Sequence, residues 1–130
     1  MFLSVTNTIK KLGFPVPTAP NELAVGNGDF PSTLIYIFPD NQSNGALEHL
    51  CISSVLGDPT LDCVEAYFSC LSEVNKKYGI EHPHLHKARV QVFLAREEEG
   101  DVHMGIGAEK DIWNWDSPVF NQVKEMLGKL

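Results

Sequence analysis

The run Thr33-Leu34-Ile35-Tyr36-Ile37-Phe38 constrains this chain more than any other stretch. It is β-branched, aromatic and apolar nearly throughout, the composition of a strand covered on both faces. Pro39 ends it, because proline has no N–H to give to a sheet ladder. Leu23-Ala24-Val25 reads as a second, shorter strand, and the turn chemistry of Gly26-Asn27-Gly28-Asp29 separates the two. A two-stranded ribbon is marginal alone and needs helices or another strand to cover it. The remaining apolar periodicity is helical, so the expected fold is a mixed, helix-rich α/β domain, a small sheet flanked by about five helices.

The helices follow from spacing and punctuation. Phe2, Val5, Ile9 and Leu12 recur at helical intervals, with Gly13 as a stop. The prolines of 14–20 hold that segment extended. Leu47, Leu50, Cys51, Ser54 and Val55 form an apolar stripe that Gly57 ends. Asp58-Pro59 is a cap followed by proline at the first helical position. The helix so started carries Leu61, Val64, Phe68 and Leu71, with Tyr67, Cys70 and Val74 adjoining, and the whole is expected as a wide buried face closed by Gly79.

Leu85 to Arg96 fits both periods, and its length and alanines favour helix. Residues 97–107 read as a loop, with Gly105-Ile106-Gly107 a turn, since the third glycine and preceding strand of a dinucleotide loop are missing. Ser117-Pro118 opens a last helix with Val119, Phe120, Val123 and Leu127 inward. Trp113 is expected in the core and Trp115 half exposed.

At 130 residues, without repeats or a linker-like tract, the chain is expected to form one domain. Hydrophobic residues at 43% and charged residues at 21% are those of a folded chain. No apolar run approaches the ~20 residues that cross a bilayer. The start, MFLSVTNTIKKLG, has its lysines after the apolar residues, unlike a signal peptide, so the cytoplasm is the expected location and no membrane partner is expected. Cys51, Cys63 and Cys70 include no CxxC and are expected as small buried hydrophobes. A net charge of −7 repels phosphate backbones, so nucleic acid could be met only where bound divalent cations invert the local field. The run Glu97-Glu98-Glu99-Gly100-Asp101 is expected in a solvated loop.

Two segments carry candidate chemistry. Pro39-Asp40-Asn41 follows the best strand, and Glu48 lies in the first turn of the next helix. Sites in open α/β sheets form where strands end and helices begin, and two carboxylates there suit Mg²⁺ or Mn²⁺. The same residues also suit a plain turn and a helix-dipole contact. His82, His84 and His86 alternate, as zinc ligands on a strand would, with His49 or His103 arriving from elsewhere. Lys87 beside them is a candidate base or phosphate contact. No Ser–His–Asp order or P-loop is present.

The order PDNxxxGxLE (Pro39-Asp40-Asn41, Gly45, Leu47, Glu48), then HxxKA (His84, Lys87, Ala88), then Leu94-Ala95, resembles a largely uncharacterised prokaryotic TOPRIM-like family. Gly105, Trp113, Ser117-Pro118 and Phe120 continue the order. The resemblance implies a parallel sheet binding divalent metal through acidic residues, as in topoisomerases, primases and certain nucleases. It implies Asp40 and Glu48 beside the metal, Asn41 and His84 as binding residues, and Lys87 at phosphate. The family's leading strand with its glutamate and the next strand with its DxD motif have no counterpart here. A truncated TOPRIM-like domain is therefore expected, a non-catalytic binding or partner module. A homodimer, or a protein supplying the missing strands, would cover the open sheet edge. The alternatives are a metal-dependent nuclease or phosphotransfer enzyme completed by another subunit, and a zinc protein using the histidine cluster.

Overall fold

The computed structural model of the chain describes residues 1–79, 85–100 and 102–130. It is mixed α/β and rich in helix. In order come α1 (Phe2–Lys11), β1 (Leu23–Ala24), β2 (Thr33–Leu34), α2 (Leu47–Ser54), α3 (Thr60–Tyr78), α4 (Leu85–Leu94), α5 (Met104–Glu109), a 3-10 turn (Pro118–Phe120) and α6 (Asn121–Leu127). Residues 1–47 with 119–130 form one compact unit, and residues 48–118 form another. None of the described helices is long and apolar enough to cross a membrane.

In the first unit β1 and β2 pair antiparallel, Leu23 opposite Leu34 and Ala24 opposite Thr33. The strand predicted through Phe38 is thus two residues long, and it is not a covered central strand. The backbone explains why. The Ile35 carbonyl accepts from the Asn21 N–H at 2.8 Å. At Ile37 the carbonyl accepts from the Asn41 N–H at 2.7 Å, and the Ile37 N–H donates to Asn41 Oδ1 at 2.8 Å. The Ile37 groups that a further strand would use are closed onto the following loop. Only Ile35 of the run's later residues is buried; Tyr36, Ile37 and Phe38 are half-buried. Val25, expected in β1, lies outside it and is 76% exposed.

Between the strands Asn27 Oδ1 accepts from the N–H groups of Asp29 and Phe30, the Asx turn that the sequence suggested. Gly26 is required there, because a Cβ would sit 2.2 Å from the Phe30 carbonyl oxygen. The helical stripes of this unit are wetter than their spacing implies. Thr6 is the buried residue of α1, while Leu12 is exposed; on α6 the expected inward Leu127 is exposed, and Phe120 just before it is buried.

In the second unit Asp58 Oδ1 accepts the Thr60 N–H at 2.9 Å, and Gly79 ends α3 in the left-handed region at φ +64°. Both ends match the punctuation read from sequence. Arg96 links the start of α3 to the end of α4. Its Nη1 lies 2.5 Å from Asp58 Oδ2, and its Cζ sits 4.3 Å from the centre of the Phe93 ring. The guanidinium holds the Asp58 carboxyl below its ordinary range, the Thr60 amide adding to the effect. The ambiguous 85–96 stretch is helical, and it buries Val90, Phe93 and Leu94.

Where the sequence predicts a loop with glycines, α5 is a helix. Gly107 lies so close to α4 and Trp113 that a Cβ would come within 3.1 Å of Leu94 Cδ2 and 3.3 Å of Trp113 Nε1. Gly107, which read as part of a turn, instead allows close packing. Trp113, 1% exposed, stacks on Phe93 with ring centres 5.8 Å apart, and its Nε1 donates to the Met104 carbonyl at 3.2 Å.

The wide buried face expected on α3 is narrower. Val64 and Phe68 are buried, but Tyr67, Cys70 and Val74 are exposed. Of the cysteines only Cys51 is buried; Cys63 and Cys70 face outward, because α3 packs on α4 along one stripe only.

Two measurements check this core. Trp113→Ala removes a ring packed on all sides and should cost about 3–5 kcal/mol in urea unfolding. Trp115→Ala, at a residue 38% exposed, should cost under about 1 kcal/mol. Burial, then the nearby Glu48 carboxylate, push the Cys51 thiol up to about 11. Cys51 should therefore resist iodoacetamide at pH ~8 until the chain unfolds, while Cys63 and Cys70 react in the native state.

Candidate functional site

The turn after β2 is built from its own polar side chains. The Phe38–Pro39 peptide is cis, and Asn41 takes φ +64°, a left-handed conformation that asparagine tolerates. Its Oδ1 accepts the Ile37 N–H, so Asn41 closes the turn over Pro39. The Tyr36 hydroxyl donates to the Pro39 carbonyl at 2.8 Å. Burial, and then the Asp40 charge, raise the Tyr36 phenol above its ordinary value and keep it protonated.

Asp40 organises the next residues. Oδ1 accepts from the N–H of Ser43 at 2.6 Å and of Gln42 at 3.0 Å, and Oδ2 accepts from Ser43 Oγ at 2.8 Å. These donors, the Ser43 amide first and its hydroxyl second, lower the Asp40 carboxyl below its usual range. A carboxylate has about four lone-pair positions, so three donors leave little for a hard cation. Asp40 is in the first compact unit and Glu48 opens the second.

Glu48 stands in a different polar group. In the second unit Glu48, His49, Ile52 and Ser53 from α2 and His86 and Arg89 from α4 line a pocket of about 110 Å³. Spacing explains the set, since i, i+1, i+4 and i+5 share one side of α2, and i, i+3 share one side of α4. The His49 and His86 rings stack at 5.0 Å, 23° apart. Arg89 Nη2 donates to Glu65 Oε2 at 2.8 Å, its Cζ lies 5.8 Å from the Phe68 ring, and its buried Nε has no hydrogen-bond partner among the described residues. Arg89 also lines a groove of about 600 Å³ between α3 and α4, floored by Phe68, Leu71 and Leu85.

Lys87 is exposed on α4 and is not among the residues lining the Glu48 pocket, because it points roughly 160° around the helix from Arg89, which does line it. The cation that reaches this pocket is Arg89, which no motif in the sequence singled out. His49, considered only as a distant zinc ligand, does meet His86. His82 and His84 lie outside the described residues. Among those described, no group of three or more His, Cys, Asp or Glu could hold a metal ion. The pocket can present a carboxylate, two imidazoles, a hydroxyl and a guanidinium to one small polar group.

The Asp40 contacts carry a pH dependence. A carboxyl lowered in the folded chain contributes its hold on the loop above its unfolded pKa and loses it as pH falls through its folded value. In wild-type protein the Gln42 and Ser43 amides should stay protected from hydrogen exchange at neutral pH and lose protection only below pH ~4. In Asp40→Ala they should exchange fast throughout, as followed by NMR.

No curated protein and no solved structure matches the chain. A family model described as "Protein of unknown function (DUF3226)" matches residues 1–130. Covering the described turn, the Glu48 pocket and both units alike, that match means the chain belongs to this DUF3226 family.

Proposed function

We propose that this chain is a TOPRIM-like binding or partner module that does not carry out metal-dependent chemistry by itself. The observation that carries the reading is the state of Asp40. The residue that the PDN motif offers as a metal ligand already accepts the Ser43 amide, the Ser43 hydroxyl and the Gln42 amide. Mg²⁺ demands near-ideal octahedral oxygen ligation and would have to displace those donors while keeping most of its own water. The ribbon among the described residues is antiparallel and two-stranded, not the parallel sheet that the resemblance implies, so another polypeptide would have to supply any such sheet.

Thermal unfolding with and without Mg²⁺ or Mn²⁺ tests this. The expected result is a Tm unchanged by either ion at millimolar concentration, since an ion that does not bind the native state cannot stabilise it. Metal-dependent cleavage of DNA or RNA by the pure chain would overturn the reading.

The Glu48 pocket favours a second reading, a nuclease or phosphotransfer enzyme completed by another subunit. Glu48 would help to hold a divalent ion, Mg²⁺ or Mn²⁺, against the transferring phosphate, while Arg89 and the imidazoles offset its charge. Lys87 would reach phosphate from outside the pocket. In an active assembly Glu48→Gln should lower turnover by about two orders of magnitude with the fold intact. Unchanged turnover in Glu48→Gln and Lys87→Ala assemblies would dismiss this reading.

A further inference from the structure

Asparagine is followed by glycine in Asn27-Gly28 and in Asn44-Gly45. At such a pair the backbone nitrogen of glycine can attack the asparagine side-chain carbon, because glycine has no Cβ to block the approach. The attack needs a carboxamide free to turn over its own peptide and a glycine amide open to solvent base. All four residues are exposed. The fold nevertheless treats the two pairs differently.

Asn27 is held. Its Oδ1 accepts from the N–H groups of Asp29 at 3.1 Å and Phe30 at 3.2 Å, and its carbonyl accepts from Phe30 as well. These bonds point the carboxamide along the hairpin turn and oppose its rotation onto the Gly28 nitrogen. Asn27 and Phe30 are also bridged across the turn.

Asn44 is not held. Upstream, Asp40 fixes the loop through the amides of Gln42 and Ser43 and the Ser43 hydroxyl, and its reach ends there. Downstream, α2 begins only at Leu47. Neither the Asn44 side chain nor the Gly45 amide makes a hydrogen bond among the described residues.

We propose that Asn44 is a site of deamidation, which proceeds there without an enzyme while Asn27 of the same folded chain is protected. Base takes the Gly45 N–H proton, the nitrogen bonds to Asn44 Cγ, and the Cγ–Nδ2 bond breaks to release ammonia. Water then opens the five-membered imide. Breaking the new Cγ–N bond leaves aspartate; breaking the original peptide bond leaves isoaspartate, with the backbone continued through Cβ and Cγ. One water is consumed and one ammonia is lost, and no oxidant or reductant is needed. Either product adds a negative charge to a chain that already carries −7. The new carboxylate stands just ahead of α2, whose first turn favours negative charge. Isoaspartate also lengthens the backbone between the Asp40 turn and Glu48 by one methylene group. The link between those two segments thus changes with the age of the molecule.

Ageing the full chain in mildly alkaline buffer tests this, with peptide mapping by mass spectrometry that separates aspartate from isoaspartate. The expected result is conversion at Asn44 well ahead of Asn27, with isoaspartate present as the mark of the imide. In guanidinium chloride Asn27 should catch up, because its protection comes from the hairpin and is lost with it. Gly45→Ala should slow Asn44 severalfold in buffer and denaturant alike, since the added Cβ hinders the attacking nitrogen whether or not the variant folds. Asn44 left unconverted, Asn27 keeping pace with it in the native chain, a gap that persists in denaturant, or Gly45→Ala without effect would each overturn the proposal. None of these readouts involves a metal ion, so failure here leaves the module reading to its own test.

Discussion

Much of the second unit depends on the contact between Phe93 and Trp113. The Trp113 ring needs a flat apolar partner and a hydrogen-bond acceptor, and it finds them in Phe93 and the Met104 carbonyl. That carbonyl opens α5, so the indole fixes where the helix begins relative to α4. Gly107 lets the two come close enough, and Arg96 covers the other side of Phe93 while bonding Asp58. A single dry junction thereby ties α3, α4, α5 and the segment after α5 into one packed body. Two side chains of the Glu48 pocket, His86 and Arg89, are carried by that body on α4.

Both candidate segments show how polar residues divide their capacity. The side chains of the PDN turn are hydrogen-bonded inward, to the loop that they shape. Asn41 serves the backbone of Ile37, and Asp40 serves Gln42 and Ser43. In the second unit the polar groups converge on a small volume, and Arg89 keeps one buried N–H without an acceptor among the described residues. The physical contrast separates a motif that organises structure from one that has capacity to bind. It also moves the chemical interest of this chain from the turn to the paired faces of α2 and α4.

The outer face of α3 has no such polar capacity. Its residues are aromatic, aliphatic and thiol, and their exposure is out of keeping with a helix whose other side already fills a core. Hydrophobic periodicity alone counts both sides as inward. Only the position of α4 separates the side that is covered within this chain from the side left open.

The local grammar of the sequence determined a good deal. Asp58-Pro59 and Gly79 bound α3, Trp113 reads as core, and the stretch Leu85 to Arg96 reads as helix, which the structure forms over Leu85–Leu94, because caps, breakers and amphipathic spacing act within a few residues. Packing decided the rest. The strand expected through Phe38 stops at Leu34, because the Ile37 amide and carbonyl bond to Asn41, a choice that residue propensity does not encode. The glycines at 105 and 107 read as a turn, since the sequence does not say that Trp113 and Leu94 would press against one of them. Asp40 and Glu48 were legible as acidic residues near an element boundary, but their partners were not. The donors around Asp40 come from its own loop, and those near Glu48 come from another helix. Hydrogen bonds over three residues can be read from a chain; the meeting of His49, His86 and Arg89 depends on how two helices pack, which only the tertiary structure decided.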